Sequence, residues 1–403
     1  MSQPVLDGIR VVEVATFVLG PAAGTVMADF GADVIHVEHP VTGDVYRYLH
    51  QLKPLPDCEH NYPWILTSRN KRSVALDLKR EAGRGVLRDL VRDADVLITN
   101  YHASVLASLE LRWEDLAPLN ERLVYAHATG YGEEGSEAEK PGYDATAWWA
   151  RSGLMDAVRP GGAELGLATP GMGDHPSAMA LFGAVMLALY QRERSGRGQR
   201  VHTSLLANGA WANGIYLQAA LCGAPAYAAP THATSPNALV NHYHCADGRA
   251  FYLAMVQEAV EWERFTEAIG MPQLREDPRF AVLEDRRAHS QELTAILDRV
   301  FAEKPLDHWH ETLDRYAVTF GAVKRTEDLT DDPQMQANGI FRPIEGTDDM
   351  RTVDSPIHVE GFPKQPARLA PEIGEHSVEI LQGLGYDEER IRALLDAGAV
   401  RST

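Results

Sequence analysis

Two kinds of hydrophobic run alternate along this chain. Short apolar, β-rich runs fall at residues 9–14, 34–37, 74–78, 95–99 and 123–127. Between them lie segments with apolar residues at helical spacing. One opens at Gly20-Pro21 and runs through Val26, Met27 and Phe30 to Gly31; another, over 81–93, places Val86, Leu87, Leu90 and Val91 on one face. A third, over about 176–193, carries Met179, Phe182, Val185, Met186 and Leu189. Alternation of this kind predicts βαβ units and an open α/β sheet. Ligands of such sheets sit beyond the carboxyl ends of the strands, so the loops after residues 14, 37, 99 and 128 are the candidate site loops.

The pattern changes near residue 222. Residues 222–237 are rich in Ala, Pro and Gly and read as a linker. A hairpin signal follows around Asp247-Gly248, then helical stretches near 258–270, 285–302 and 306–316. The expected organisation is a large domain over 1–221, the linker 222–237, a small α+β domain over 238–322 and a return segment over 323–403. A last helix is predicted at about 387–397, ended by Gly398.

Composition narrows the function. The formal net charge of −19 over 403 residues argues against nucleic acid or an anionic membrane as partner. Cys58, Cys222 and Cys245 have neither metal-ligand nor disulfide-framework spacing. The N-terminal residues lack a basic and apolar leader, and no run reaches the roughly 20 residues of a membrane span. A cytoplasmic protein with no metal is the expectation. The first βαβ unit lacks the Gly-x-Gly-x-x-Gly fingerprint, which speaks against a nicotinamide cofactor.

Two stretches carry candidate chemistry. In residues 168–176 (ATPGMGDHP), Gly171 and Gly173 admit close approach of a ligand, and Asp174 stands at a predicted helix start. Asp174 there is either an N-cap or a carboxylate nucleophile that the helix dipole keeps ionised at neutral pH. Residues 69–73 (RNKRS) form a cationic cluster leading into the third strand. They read either as a solvated strand start or as a phosphate site. The apolar Trp148, Trp149 and Met172 read either as core packing or as pocket wall.

These residues, taken in order, resemble the class III CoA-transferases, the family of formyl-CoA:oxalate and carnitine CoA-transferases that also includes α-methylacyl-CoA racemases. The resemblance rests on Leu6-Asp-Gly-Ile-Arg-Val, Gly20-Pro21, residues 29–38 (DFGADVIHVE), 70–77 (NKRSVALD) and 94–100 (ADVLITN). It continues through Gly142-Tyr-Asp144, Gly173-Asp174, residues 195–199 (SGRGQ), Gly374-Glu-His376 and Leu384-Gly-Tyr386, and so covers nearly the whole chain. It implies an interlocked homodimer. Each subunit would have a Rossmann-like large domain, built from both chain ends, and a small domain between them. Coenzyme A, as acyl-CoA, and a small carboxylic acid would be the substrates.

By the same resemblance Asp174 is the catalytic aspartate. Phe17, Val18, Tyr143, Asp144, Gly173 and His175 would line the active site. The coenzyme A set would be His39, Lys71, Arg72, Leu76, Asp77, Leu78, Lys79, Asn100, Tyr101 and His102, with Lys71 and Arg72 drawn from the cationic cluster. His39 and Ser108 stand where the formyl-CoA:oxalate enzymes carry arginines, and residues 225–242 lack their glycine-rich loop. Two alternatives stand beside a transferase. A racemase of the same family carries a histidine where this chain has Tyr143. The other is a coenzyme A-binding protein without turnover.

Overall fold

The apolar runs pair side by side. In the computed structural model, which describes every residue except 1, 2, 54 and 162, seven strands form one sheet. They are β1 (Arg10–Val14), β2 (Asp33–Glu38), β3 (Arg72–Leu76), β4 (Val96–Thr99), β5 (Val124–Thr129), β6 (Arg200–Ser204) and, joining later, β13 (Val400–Arg401). Their order is β13-β3-β2-β1-β4-β5-β6. All pairs are parallel except β13 with β3, where Val400 faces Leu76. The central strands are buried on both faces, as a parallel sheet covered by helices must be.

Successive residues of β1 serve opposite cores. Val11 joins the helices Leu19–Asp29 and Asp174–Ser195 through Val26, Met27, Leu181 and Val185. Val12 and Val14 join the helix Glu81–Arg92 and the C-terminal Ile380, Leu381 and Ile391 on the other face. This is the period-two alternation of a strand between two layers. Every residue of the helix Leu19–Asp29 is buried, which explains its apolar sequence on all sides. Gly196, at φ +73°, ends the long helix, and a Cβ on Gly198 would collide with the Leu123 carbonyl as the chain turns into β6.

The chain divides into two compact units. One comprises Met1–Asp156, Leu167–Gly223 and Gln334–Thr403, and includes a three-stranded sheet of β10 (Phe341–Glu345), β11 (Arg351–Val353) and β12 (Ala367–Arg368). The other comprises Ala157–Gly166 and Ala224–Pro333. In it β7 (Val240–His244), β8 (Ala250–Ala254) and β9 (Phe320–Ala322) form an antiparallel sheet. The turn between β7 and β8 is the one predicted at Asp247-Gly248, with Gly248 at φ +72° and Asp247 accepting from the Arg249 amide. Helices Glu258–Ala268, Ser290–Phe301 and Leu306–Arg315 close a core around Phe251, Phe265 and Phe301.

Two stretches hold elements that the hydrophobic pattern does not mark. Residues 39–68, without apolar period, hold a short 3-10 helix at Val45–Gln51 and an α-helix at Tyr62–Ser68, each begun by a side chain, Asp44 and Asn61, that accepts from a backbone amide. Strand β13 is two residues long, too short to leave a period. Among the described residues, no helix is long and apolar enough to cross a membrane.

Candidate active site

The strand order reverses at β1. From β1 the chain builds outward through β2 and β3, then returns to β4 on the other side of β1. The loops leaving β1 and β4 therefore diverge, and a crevice opens beyond their carboxyl ends. A cleft of about 700 Å³ lies there, lined by Thr16–Leu19 after β1, Asn100–Ala103 after β4, and His127–Gly130 at the end of β5. Tyr143 and Asp174 complete one wall.

Side chains fix the loops that border it. Asn100 accepts from the Thr16 amide at 2.9 Å and donates to the Thr16 carbonyl at 2.7 Å. The two nitrogens of His127 face Glu133 Oε1 at 2.6 Å and the Tyr101 carbonyl at 3.0 Å. Phe17 takes the left-handed conformation, φ +61°, which costs a residue with a Cβ about 1–2 kcal/mol. Its ring meets Tyr143 edge-on at 5.6 Å and Tyr46 at 6.5 Å.

Asp174 is the first residue of the helix Asp174–Ser195, not its cap. Gly173 holds the N-cap position, with no side-chain cap bond. The N-cap reading of Asp174 is thereby corrected. A Cβ on Gly173 would lie 2.5 Å from the Trp148 ring, so only glycine lets the helix begin here. Trp148 stacks on Trp149 and packs against the core. The Asp174 carboxylate has no hydrogen bond or ion pair among the described residues. Burial, with the Asp144 carboxylate nearby, pushes its pKa up to about 7. Against the expectation that the helix dipole keeps it ionised at neutral pH stand two opposing effects, burial and a like charge. Asp144 is buried, and its Oδ2 accepts from the Gly173 amide at 3.3 Å. His175 follows, its imidazole pushed below the usual value by burial and so neutral near pH 7.

The cations of residues 69–72 are engaged by carboxylates. Lys71 is buried, with Nζ 2.9 Å from both Glu13 oxygens and 2.7 Å from the Pro21 carbonyl. All three ammonium hydrogens are thus committed, which leaves none to donate to a phosphate. Arg69 makes a bidentate pair with Asp29, also buried. Arg72 pairs with Asp33 and with Glu379. The phosphate role of Lys71 is corrected on that ground: its ammonium is held against the buried Glu13 of β1.

Of the other residues singled out, Val18, Asn100, Tyr101 and His102 line the cleft with Phe17. Leu76 is in the core at the end of β3, and Leu78 packs against that core. Asp77 accepts from the Lys79 amide and from Arg80, closing the turn after β3. His39 follows β2, and its Nδ1 accepts from the amides of Val41 and Thr42. The Ser108 hydroxyl donates to the Val105 carbonyl within its own helix.

Sequence reasoning missed Tyr46 and Asp44. Tyr46 is buried next to Phe17, and its phenol is raised above the ordinary value by burial and by Asp174. Both lie in the segment without period, where only the Asp-Val-Tyr sequence before a turn could have marked a cap.

Comparison with known proteins gives the family. Residues 6–377 match the model of CoA-transferase family III. The chain is 30% identical over 400 residues to (R)-2-hydroxy-4-methylpentanoate CoA-transferase of Clostridioides difficile, covering 98% of this chain and 99% of that protein. It is 32% identical over 394 residues to cinnamoyl-CoA:phenyllactate CoA-transferase of Clostridium sporogenes, covering 96% and 95%. Among solved structures, a CaiB/BaiF family protein from Brucella suis superposes with a TM-score of 0.85 at 28% identity, covering 95% of this chain and all of that one. The chain belongs to CoA-transferase family III.

Proposed function

We propose that this CoA-transferase moves coenzyme A between carboxylic acids through covalent intermediates on Asp174. The observation that carries this reading is a carboxylate without a hydrogen-bond or ion-pair partner among the described residues, on the first turn of a long helix, in the wall of a cleft at the sheet's switch point. The Asp174 carboxylate attacks the acyl-CoA carbonyl. The carbon–sulfur bond breaks, giving a mixed anhydride and coenzyme A thiolate. The thiolate attacks the aspartyl carbonyl, releases the donor acid and leaves an aspartyl–CoA thioester. The acceptor carboxylate attacks that thioester and forms a second anhydride. The thiolate then takes the acceptor acyl group and frees Asp174. No external oxidant, reductant or proton is required, because each step exchanges one anionic leaving group for another. The helix N-terminus favours the charge that develops on each oxyanion.

The acyl groups are apolar, branched or aromatic 2-hydroxy acids and their relatives. The Phe17 and Tyr143 rings line the cleft, and the two relatives named above are named for 2-hydroxy-4-methylpentanoate and for phenyllactate. Coenzyme A lies along the carboxyl ends of β1 to β4, with Asn100, Tyr101 and His102 beside it and His39 and Lys79 at its outer end. The working form is a homodimer, in keeping with the apolar residues the single chain exposes on residues 205–221.

A screen of acyl-CoA donors against carboxylic acids, read by mass spectrometry, tests the reading. Hydroxylamine or borohydride added during turnover should mark Asp174. Turnover without any mark there, or transfer that survives Asp174→Asn, would falsify the covalent role. Deuterium wash-in at the α-carbon of a 2-methylacyl-CoA, without transfer, would favour the racemase instead.

A further inference from the structure

The loop bearing Phe17 is held from two sides. Asn100 grips Thr16. On the other side, Asp44 Oδ1 accepts from the Phe17 amide at 3.5 Å and from the Tyr46 amide at 2.9 Å, so one oxygen joins two segments far apart in sequence. Asp44 is itself fixed. Its amide donates to Glu38 Oε2 at 3.0 Å. Its second oxygen, Oδ2, is buried without a hydrogen-bond partner and faces His36 Nε2, also without one, at 3.6 Å. Behind His36 stand Glu13 at 2.7 Å and then Lys71, whose ammonium ends on the Pro21 carbonyl in the helix that follows Phe17. A left-handed phenylalanine persists only where its surroundings over-determine it. Here the surroundings are this buried row.

We propose that Asp44 is a positioning residue for acyl selectivity: by holding the amides of Phe17 and Tyr46 on one carboxylate oxygen, it sets where the Phe17 ring stands in the cleft that holds Asp174. The inference rests on the transferase reading for its kinetic arm only. Without the bond, Phe17 relaxes toward negative φ, and its ring leaves the edge-on contact with Tyr143. Substrates with apolar or aromatic acyl groups then lose a wall, whereas small acyl groups do not.

The test uses Asp44→Ser, Asp44→Asn, Phe17→Ala and the Asp44→Ser/Phe17→Ala double variant. Serine still caps the Val45–Gln51 helix but is too short to bridge to Phe17. The ratio of kcat/KM for cinnamoyl-CoA to that for acetyl-CoA, with one acceptor acid, is measured in each. The ratio should fall about tenfold in Asp44→Ser and in Phe17→Ala, and no further in the double variant. Asp44→Asn, whose amide oxygen accepts from both amides, should rescue the ratio. An unchanged ratio in Asp44→Ser, losses that multiply in the double variant, or an Asp44→Asn ratio as low as that of Phe17→Ala would each overturn the proposal. Amide exchange gives a readout independent of turnover. The Phe17 amide should lose protection about tenfold in Asp44→Ser while Tyr46 keeps its own. Retained Phe17 protection would also overturn it, and absence of transfer by the wild type would sink only the transferase reading.

Discussion

At the scale of single residues, Asp174 and Lys71 set opposite expectations. Asp174 pays a desolvation cost that Asn would not. Its pKa is raised to about 7 from an ordinary 3.8. A raised carboxyl favours the protonated folded state, so wild-type stability is highest below about pH 4 as far as this group is concerned. That contribution is lost as pH rises toward 7, and is fully lost above it. Asp174→Asn should therefore be more stable than wild type at pH 8 by about 2–4 kcal/mol, and nearly equal at pH 4, in urea titrations. Its transfer rate should fall roughly 10³-fold or more. For the wild type, kcat/KM should rise with pH through about 7, because the free enzyme must ionise Asp174 to attack. A flat profile between pH 6 and 8 contradicts that environment. Lys71 behaves in the reverse sense. Burial lowers its pKa and works against the charge on Glu13, but the pair hold each other charged, and His36 adds a third partner. Lys71→Met removes the ammonium from both Glu13 oxygens and leaves that buried carboxylate with His36 alone, and should cost about 3–5 kcal/mol by denaturant unfolding. The dissociation constant for coenzyme A, measured by calorimetry on the folded variant, should stay where it was. Sequence could not separate the two cations from a phosphate site. Arg-Asn-Lys-Arg has the same composition either way, and the carboxylates that claim it, Glu13, Asp29 and Asp33, come from other elements.

At the scale of elements, what was legible depended on period and on breakers. The parallel strands stood out because burial on both faces demands unbroken Val, Ile and Leu. The helix carrying Asp174 stood out because Met179, Val185 and Leu189 repeat along it, and because glycines precede it and Ser-Gly-Arg-Gly ends it. Its start was placed late, at Pro176, since proline marks a first turn but not which residue of it. Asp44 and Tyr46 were not legible, because a 3-10 turn of seven residues leaves no period and its cap binds Phe17 across 27 positions. The junction of Gly173 with Trp148 carries an element-scale prediction. The Cβ of an alanine at 173 would meet the Trp148 ring at 2.5–2.7 Å, where the tryptophan cannot retreat without disturbing its stack on Trp149. Gly173→Ala should cost about 1–3 kcal/mol. It should also displace the first turn of the helix, so that labelling of Asp174 by hydroxylamine during turnover falls along with stability. Gly183→Ala, in the same helix with open space around it, is the control and should do neither.

At the scale of the whole molecule, the two ends of the chain complete one sheet. Val400 pairs with Leu76, so residues after 334 are part of the unit that holds the cleft. This unit exposes several large apolar side chains. Trp211, Ile215 and Leu221, on the two consecutive helices Leu205–Ala212 and Gly214–Leu221, are 87%, 85% and 82% exposed, and Leu187 and Tyr190 stand open on the helix of Asp174. Single exposed hydrophobes are ordinary, but a tryptophan, an isoleucine and a leucine open within eleven residues mark a surface that meets protein. A second copy of this chain is the occupant that the family resemblance implies. The wild type should therefore sediment as a dimer at micromolar concentration. Trp211→Asp/Ile215→Asp places two charges in the centre of that surface, where burial without a partner is costly. The variant should shift to monomer or fall out of solution, and its transfer activity should drop with the dimer. Because both side chains are open to solvent in the single chain, the variant's circular dichroism should stay that of the wild type. A wild type that sediments as a stable monomer while turning over, or a double variant that remains fully dimeric, would remove the homodimer from the reading. The covalent chemistry of Asp174 would be left to stand on its own tests.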